Sequence, residues 1–303
     1  MRRREFLGTA VAGTLAAKGG TLPKRSYKDG VKLSIVGFGG IVVTGMEQKD
    51  ANAMVAEAFE RGVNYFDVAP TYGDGEAETK LGPALEPFRK SAFLASKTTR
   101  RDAAGARAEL ERSLKRLRTD HFDLYQFHGV SKMEDVEKIL GPGGAAETFL
   151  KARDEGKVRF LGLSAHNAGA AIALMDRMRL DSILFPVNFV CYAQGNFGPQ
   201  ILAKAKEKGM ARMALKALAH TPWAKGEERT YKKCWYRPVD DRDLARKALG
   251  FTLSEDITAA IPPGEAKLFR LALDLAPGFK PLKTKEREAL LASTQGVEPI
   301  MKA

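Results

Sequence analysis

A chain of 303 residues with 44% hydrophobic content is long enough for one large α/β domain or two small ones, and its composition is that of a globular protein. Its formal charge of +12 comes from Lys and Arg mixed with acids, as in AELERSLKRLR and ILAKAKEKG, which is the pattern of solvated helix faces. No basic stripe interleaved with aromatics points to nucleic acid, two distant cysteines without a CxxC or a His cluster argue against zinc and iron–sulfur sites, and a small anionic ligand would gain from the positive field.

The N-terminus comes first in chain order. Arg3-Arg4 followed by Glu5, Phe6 and Leu7, then the weakly apolar run Gly8 to Ala17, resembles a twin-arginine export signal over residues 1–20. The apolar part is about half of the roughly 20 residues that span a bilayer, so no stable membrane anchor is expected. The expected location is periplasmic or exported, with cleavage near Ala16 to Gly19; if the segment is not functional the protein stays cytoplasmic. From Arg25 to Leu33, an Asp29-Gly30 turn between short extended pieces predicts a hairpin that plugs one end of a domain.

A regular beat then begins. Ser34 to Gly37 reads as a strand and Lys49 to Arg61 as a helix closed by Gly62, with Ala53, Val55, Ala56 and Phe59 on its apolar side. Val63 to Val68 is a β-branched and aromatic strand, and Pro70 with Gly73 turns the chain into a helix from Glu76 to Leu85. Ala92 to Ser96, a helix from Ala104 to Leu117, and the strand Phe122 to Phe127 follow. Past the middle come a helix from Glu147 to Glu155, strand Val158 to Leu163, helix Ala170 to Met178, strand Ser182 to Val187, helix Pro199 to Lys208 and strand Ala211 to Leu215. A basic, aromatic-bearing loop from His220 to Asp240 precedes a helix over Asp243 to Leu249, strand Ile257 to Ile261 and helix Glu265 to Leu275. A tail helix over Lys285 to Ser293 lies in the last segment, 277–303.

Eight strand and helix alternations with no Pro-, Gly- or Ser-rich linker predict an α/β fold, a single closed (β/α)8 TIM barrel over 25–276 with an N-terminal hairpin and a C-terminal tail helix. The rival is a doubly wound sheet, because Gly37-Phe38-Gly39 follows a strand and Asp67 ends the next. That fingerprint requires GxGxxG opening a helix directly, with an acid roughly 20 positions on. Here Val42 stands for the third glycine, a loop intervenes, and Asp67 lies too far along.

Three successive strands carry polar tips: Asp67, Lys97 and His128, with the phenol of Tyr72 just beyond the first. In a barrel these converge on the carboxyl rim, where such folds bind ligands. An ammonium near a phenol stabilises the phenolate and is expected to lower a pKa that starts near 10. Tyr72 then serves as acid, Asp67 keeps Lys97 charged and oriented, and His128 bonds the substrate oxygen or relays the proton. No side chain supplies a hydride, so a nicotinamide cofactor is implied.

The stretches NYFDVAPTYGDGEAETKLG, FLASKT, HFDLYQFHG and VRFLGLSAHN stand in the order and spacing of the aldo-keto reductases, and the chain from Val31 to Ala276 resembles that family. The resemblance implies a (β/α)8 barrel that uses NAD(P)H to interconvert a small carbonyl compound and its alcohol, with catalytic roles on Asp67, Tyr72, Lys97 and His128. It also implies that Ser164 holds the nicotinamide carboxamide. The family's Ser-Asn pair is broken here by Ala165; His166 or Asn167 is the candidate for the missing amide, with His166 as a plain loop residue the alternative. Asn188 takes the place of a strand-six glutamine, and the stacking ring after strand seven is absent from ALKALAH, where Lys216 is expected at the pyrophosphate. IPPGEAKLFR resembles the turn that cradles the adenosine phosphate at a helix start, with Gly264 in the turn and Lys267 and Arg270 toward a 2′-phosphate. These favour NADP(H); Glu265, a partner for a 2′-hydroxyl, keeps NAD(H) as the alternative. Trp223, Trp235 and Tyr236 either wall the substrate site opposite Phe38 and Ile41 or pack the insertion onto the barrel. The alternative to an enzyme is a nucleotide-binding structural or regulatory barrel with little turnover.

Overall fold

The computed structural model describes residues 21–303. The Arg3-Arg4 segment lies outside the described residues. A hairpin of β1 (Lys24–Ser26) and β2 (Lys32–Ser34) pairs antiparallel across the Asp29-Gly30 turn, and both turn residues take positive φ. The barrel strands are β3 (Phe38–Gly39), β4 (Tyr65–Asp67), β5 (Phe93–Thr98), β6 (Phe122–Val130), β7 (Val158–Ala165), β8 (Ser182–Pro186), β9 (Ala211–Leu215) and, after the ribbon of β10 (Ala219–Pro222) and β11 (Tyr236–Pro238), β12 (Ala259–Ile261). All eight run parallel in the order β12-β9-β8-β7-β6-β5-β4-β3. A parallel bridge from Val36 to Ala260, with Gly37 N donating to Ala260 O at 2.9 Å, closes the cylinder. This closure excludes the doubly wound sheet.

The helices are α1 (Gln48–Glu60), α2 (Glu76–Leu85), α3 (Ala103–Arg116), α4 (Met133–Leu140), α5 (Ala145–Asp154), α6 (Ala168–Arg177), α7 (Phe189–Gly195), α8 (Pro199–Glu207), α9 (Arg242–Ser254), α10 (Ala266–Leu275) and α11 (Thr284–Ala292). Local chemistry sets their ends. Asp102 and Asp241 cap α3 and α9 by accepting from the backbone N–H of Gly105 and Leu244, and Gly62 leaves α1 at φ 92°.

Three expectations need correction. The strand expected over Ser34 to Gly37 is split between the hairpin and the barrel, because a side chain on Gly37 would strike the Tyr65 ring at 2.6 Å and the chain crosses there from plug to wall. The helices α4 and α7 fall in stretches with no assigned element; each is short, eight and seven residues. The 220–240 insertion contains its own two-stranded ribbon.

Two apolar clusters divide the core. Tyr27, Leu33, Tyr65, Phe93, Leu124, Phe160, Leu184, Met213 and Ile261 fill the cylinder and seat the hairpin on its floor, where Tyr27 OH donates to Ser182 Oγ at 3.0 Å. The larger cluster lies between strands and helices. Side chains alternate along a strand, so above this floor the same inward rows continue as Asp67, Lys97, Gln126, His128 and Ser164. Phe160 is buried against Tyr27 (5.2 Å between ring centroids) and Phe93 (6.3 Å). Phe160→Ala should lower unfolding free energy by about 3–5 kcal/mol, read as a shifted urea midpoint.

Candidate active site

Asp67 ends β4 level with Ala95 of β5, and Lys97 stands one inward step above it, one residue before the end of β5, so both inward rows deliver a charge to the rim. Lys97 is 0% exposed and its Nζ forms an ion pair with Asp67 Oδ1. It also donates to Val68 O at 3.1 Å and to Tyr72 OH at 3.3 Å. The other carboxylate oxygen of Asp67 accepts from Gln126 Nε2 at 2.9 Å and from Tyr65 OH at 3.3 Å. A buried ion pair survives only when its remaining hydrogen-bonding positions are filled, and here they are. Burial alone would pull the Lys97 pKa down, but Asp67 and Tyr72 outweigh it and the net shift is upward.

Tyr72 reaches this lysine because the chain after it turns back sharply. Gly73, Asp74 and Gly75 all take positive φ, and the Arg116 guanidinium fills the place where a Gly75 side chain would be. Arg116 is in turn paired at 3.3 Å with the buried carboxylate of Glu78. The expected drop in the Tyr72 pKa is not what results: burial raises it, and Asp67 adds to that, while Lys97 only offsets part of the rise. Tyr72 therefore remains a protonated phenol, the form in which a proton can be given.

His128, on β6, stands edge-on to Tyr72 with ring centroids 5.9 Å apart. Its Nδ1 is buried without a partner among the described residues. Burial and then the charges of Lys97, His166, Arg101 and Lys216 hold its pKa well below the usual histidine value, so the imidazole is neutral at pH 7. The structure thus brings Asp67, Tyr72, Lys97 and His128 together as expected. Gln126 and Tyr65 were missed; the signal that could have found them is alternation, since Gln126 shares an inward row with His128 and Tyr65 one with Asp67.

The residues expected at a cofactor are placed less uniformly. Ser164 ends an inward row on β7, and its Oγ is buried without a partner among the described residues. Asn167 is exposed and spends its carbonyl oxygen capping α6 at Ala170 N, 2.9 Å away, while His166 next to it is half-buried. Asn188 is fully buried and occupied: Oδ1 accepts from Cys191 N at 2.8 Å and Nδ2 donates to Lys216 O and Ala219 O. Its amide shapes the loop after β9 instead of facing the mouth. Lys216 sits half-buried at φ 64°, with Nζ 5.1 Å from the centre of the Trp235 ring and 5.2 Å from that of Tyr236.

On the far side, a side chain on Gly264 would come within 1.8 Å of Ile41 Cγ2, so the turn before α10 lies tight on the first barrel loop. Lys267 is exposed beside the Tyr231 ring. Arg270, expected near a phosphate, is instead forked onto Glu57 of α1, Nη2 to Oε2 at 2.8 Å, because the two helices are neighbours around the barrel. Glu265 is also engaged, accepting from Lys233 N at 2.7 Å. Phe38 is buried against Phe66 and Phe269. Trp223 and Tyr236 pack the insertion, the first donating to Cys234 O at 2.9 Å, whereas Trp235 stays 46% exposed. Both cysteines are free and buried.

A parallel eight-stranded barrel with an ion-paired lysine, a phenol and a neutral imidazole at its carboxyl rim defines a class of protein as well as a shape. The Aldo/keto reductase family model matches residues 35–270, and the chain belongs to that family. Among curated relatives, the uncharacterized oxidoreductase YqkF of Bacillus subtilis is 24% identical over 293 residues, 87% of this chain and 93% of its own. The aldo-keto reductase YhdN of the same organism is 33% identical over 167 residues, covering 50% and 47%. Among solved structures, the holo form of aldo-keto reductase AKR11C1 from Bacillus halodurans superposes with a TM-score of 0.70 at 22% identity, over 93% of this chain and 98% of that one. An aldo-keto reductase from Klebsiella pneumoniae in complex with NADPH gives 0.67 at 20% identity, over 90% and 94%.

His166 carries a pKa lowered to about 4, by burial first and Lys216 second. The unfolded chain binds a proton at His166 from about pH 6.5 downward and the folded chain does not, so stability falls as pH drops through that window. His166→Gln should flatten the decline in urea midpoint between pH 6.5 and 4.5; an unchanged slope would contradict the burial assigned to this ring.

Proposed function

We propose that the protein is an NAD(P)H-dependent oxidoreductase that reduces an aldehyde or ketone to an alcohol, or runs the reverse reaction, with Tyr72 as the general acid. The observation that carries this reading is the contact of 3.3 Å between Lys97 Nζ and Tyr72 OH, backed by the buried pair with Asp67. A carbonyl oxygen at the mouth would meet two donors, the Tyr72 hydroxyl and a ring N–H of neutral His128. As negative charge grows on that oxygen, Tyr72 passes its proton across, and the phenolate left behind faces the Lys97 ammonium. Asp67, held by Gln126 and Tyr65, keeps that ammonium in place and charged through the cycle.

A nicotinamide dinucleotide supplies the hydride that no side chain can. The residues present fit it in part. The orphaned, buried Ser164 Oγ suits a carboxamide, and the exposed Lys267 beside the turn at Gly264 suits a 2′-phosphate. Arg270, Asn188 and Asn167 are engaged elsewhere and are not assigned to it. Lys267, together with the NADPH complex of the Klebsiella pneumoniae relative, supports NADP(H) over NAD(H).

Tyr72→Phe should reduce NADPH-linked carbonyl reduction by about a hundredfold to ten-thousandfold, the usual contribution of a general acid, while NADPH binding followed by fluorescence persists. Full activity in this variant would overturn the assignment. For the Arg3-Arg4 segment we propose export, which requires a tightly held cofactor reduced and reoxidised by two alternating substrates. Mass spectrometry of secreted and cytoplasmic fractions should then find a new N-terminus near residue 20 in the exported one.

A further inference from the structure

Strand β6 is irregular where it carries His128. Phe127 pairs with Leu163 and Val130 with Ala165, so His128 and Gly129 together stand opposite the single residue Ser164 of β7. Such a bulge interrupts the ladder and re-aims a side chain. Gly129 takes φ 62°, the left-handed region that glycine enters without penalty. The carbonyl of His128 belongs to the peptide that joins the two bulged residues, and it accepts from Arg101 Nη2 at 2.8 Å.

Arg101 is fastened for this contact at both ends. Its own carbonyl accepts from Ala145 N at 2.8 Å, and its neighbour Asp102 bridges to Gly144, so the turn between β5 and α3 is tied to the start of α5. Its Nε pairs at 3.1 Å with one carboxylate oxygen of Asp135 on α4, and the other oxygen accepts from Ser131 N at 3.1 Å. The third nitrogen, Nη1, is buried with no partner among the described residues. Taking a guanidinium nitrogen out of water unpaired is unfavourable, and what offsets it is the hold of the other two nitrogens.

We infer that Arg101 is a positioning residue for the reaction: by holding the His128 carbonyl it fixes the bulge, and with it the stance of the imidazole beside Tyr72. The inference rests on the reductase reading given above and adds to it a residue that acts through His128. The path from the held peptide to the ring is short. The imidazole hangs from the same residue whose carbonyl Arg101 grips, and its centroid lies 5.9 Å from that of Tyr72, edge-on. If that peptide turns, the ring leaves its place against the proton donor, and a displacement of about 1 Å costs on the order of a hundredfold in rate.

The test is a double-mutant cycle with 4-nitrobenzaldehyde and NADPH as probes. Arg101→Met should lower kcat by about a hundredfold while NADPH affinity, read by fluorescence, holds. In a His128→Ala background the same change should cost about twofold or less, since a residue that acts through another loses its effect when that other is gone. Asp135→Ala leaves the guanidinium charged but unanchored, and should lower kcat in the same direction. Should Arg101→Met fail to fold, Arg101→Lys carries the cycle, because an ammonium keeps the charge but cannot serve both acceptors with a planar fork. A second arm needs no turnover. In NMR spectra of the full chain with NADP⁺, the His128 ring resonance, identified by its absence from His128→Ala, should move in Arg101→Met while those of His121 and His220 stay in place. An equal loss of kcat in both backgrounds, full kcat in Asp135→Ala, or an unmoved His128 resonance would overturn the inference. Absence of turnover in the wild-type protein counts against the reductase reading alone, because the NMR arm still decides the role of Arg101.

Discussion

The rim of this barrel depends on one buried ion pair. Taking Asp67 and Lys97 out of water costs several kcal/mol per ion before any attraction is counted. The structure offsets that cost by giving every remaining valence a partner: Gln126 and Tyr65 on the carboxylate, Val68 O and Tyr72 on the ammonium. The result is a fixed positive charge in a place that water does not reach. It opposes the rise that burial imposes on Tyr72, and it helps keep His128 neutral. A proton donor and a neutral hydrogen-bond donor side by side are what a developing oxyanion requires.

The same economy of partners explains why the opposite half of the site looks unlike its sequence. Arg270 projects from α10 toward α1, where Glu57 meets it with two oxygens, and an arginine so forked is no longer a free phosphate ligand. Asn188 uses both amide hydrogens to hold the carbonyls of Lys216 and Ala219, so its contribution is to the shape of the loop that follows β9. Ser164 is different: it is a buried hydroxyl with no partner among the described residues. Buried polar groups are paired as a rule, and an orphan at the rim marks a place where a ligand completes the set.

Asp67, Lys97 and His128 were legible because each is a polar residue near the end of an apolar strand, and strand period is a local property. Asp67 after Tyr65 and Phe66, Lys97 after Leu94 and Ala95, and His128 after Phe127 all announce a rim. Gln126 was passed over because a glutamine within an apolar run carries no such sign until its neighbours are known. The direction of the Tyr72 shift was misjudged for a related reason. The attraction of an ammonium can be estimated from the residue types, whereas the penalty of burial depends on how completely the surrounding elements close over the phenol.

The sequence by itself determined the repeating unit, the family, the plug at the barrel floor and the four residues that meet at its mouth. Those follow from hydrophobic period, turn residues and motif spacing, which are written along the chain. Only the tertiary structure decided which side chains are already taken. Glu57 lies far from Arg270 in the chain, yet they meet because closing the cylinder makes neighbours of its first and last elements, while Glu265 is taken by Lys233 N of the insertion folded against it. Whether a charged group is free or satisfied depends on how the elements come together around the barrel, which hydrophobic period and motif spacing do not specify.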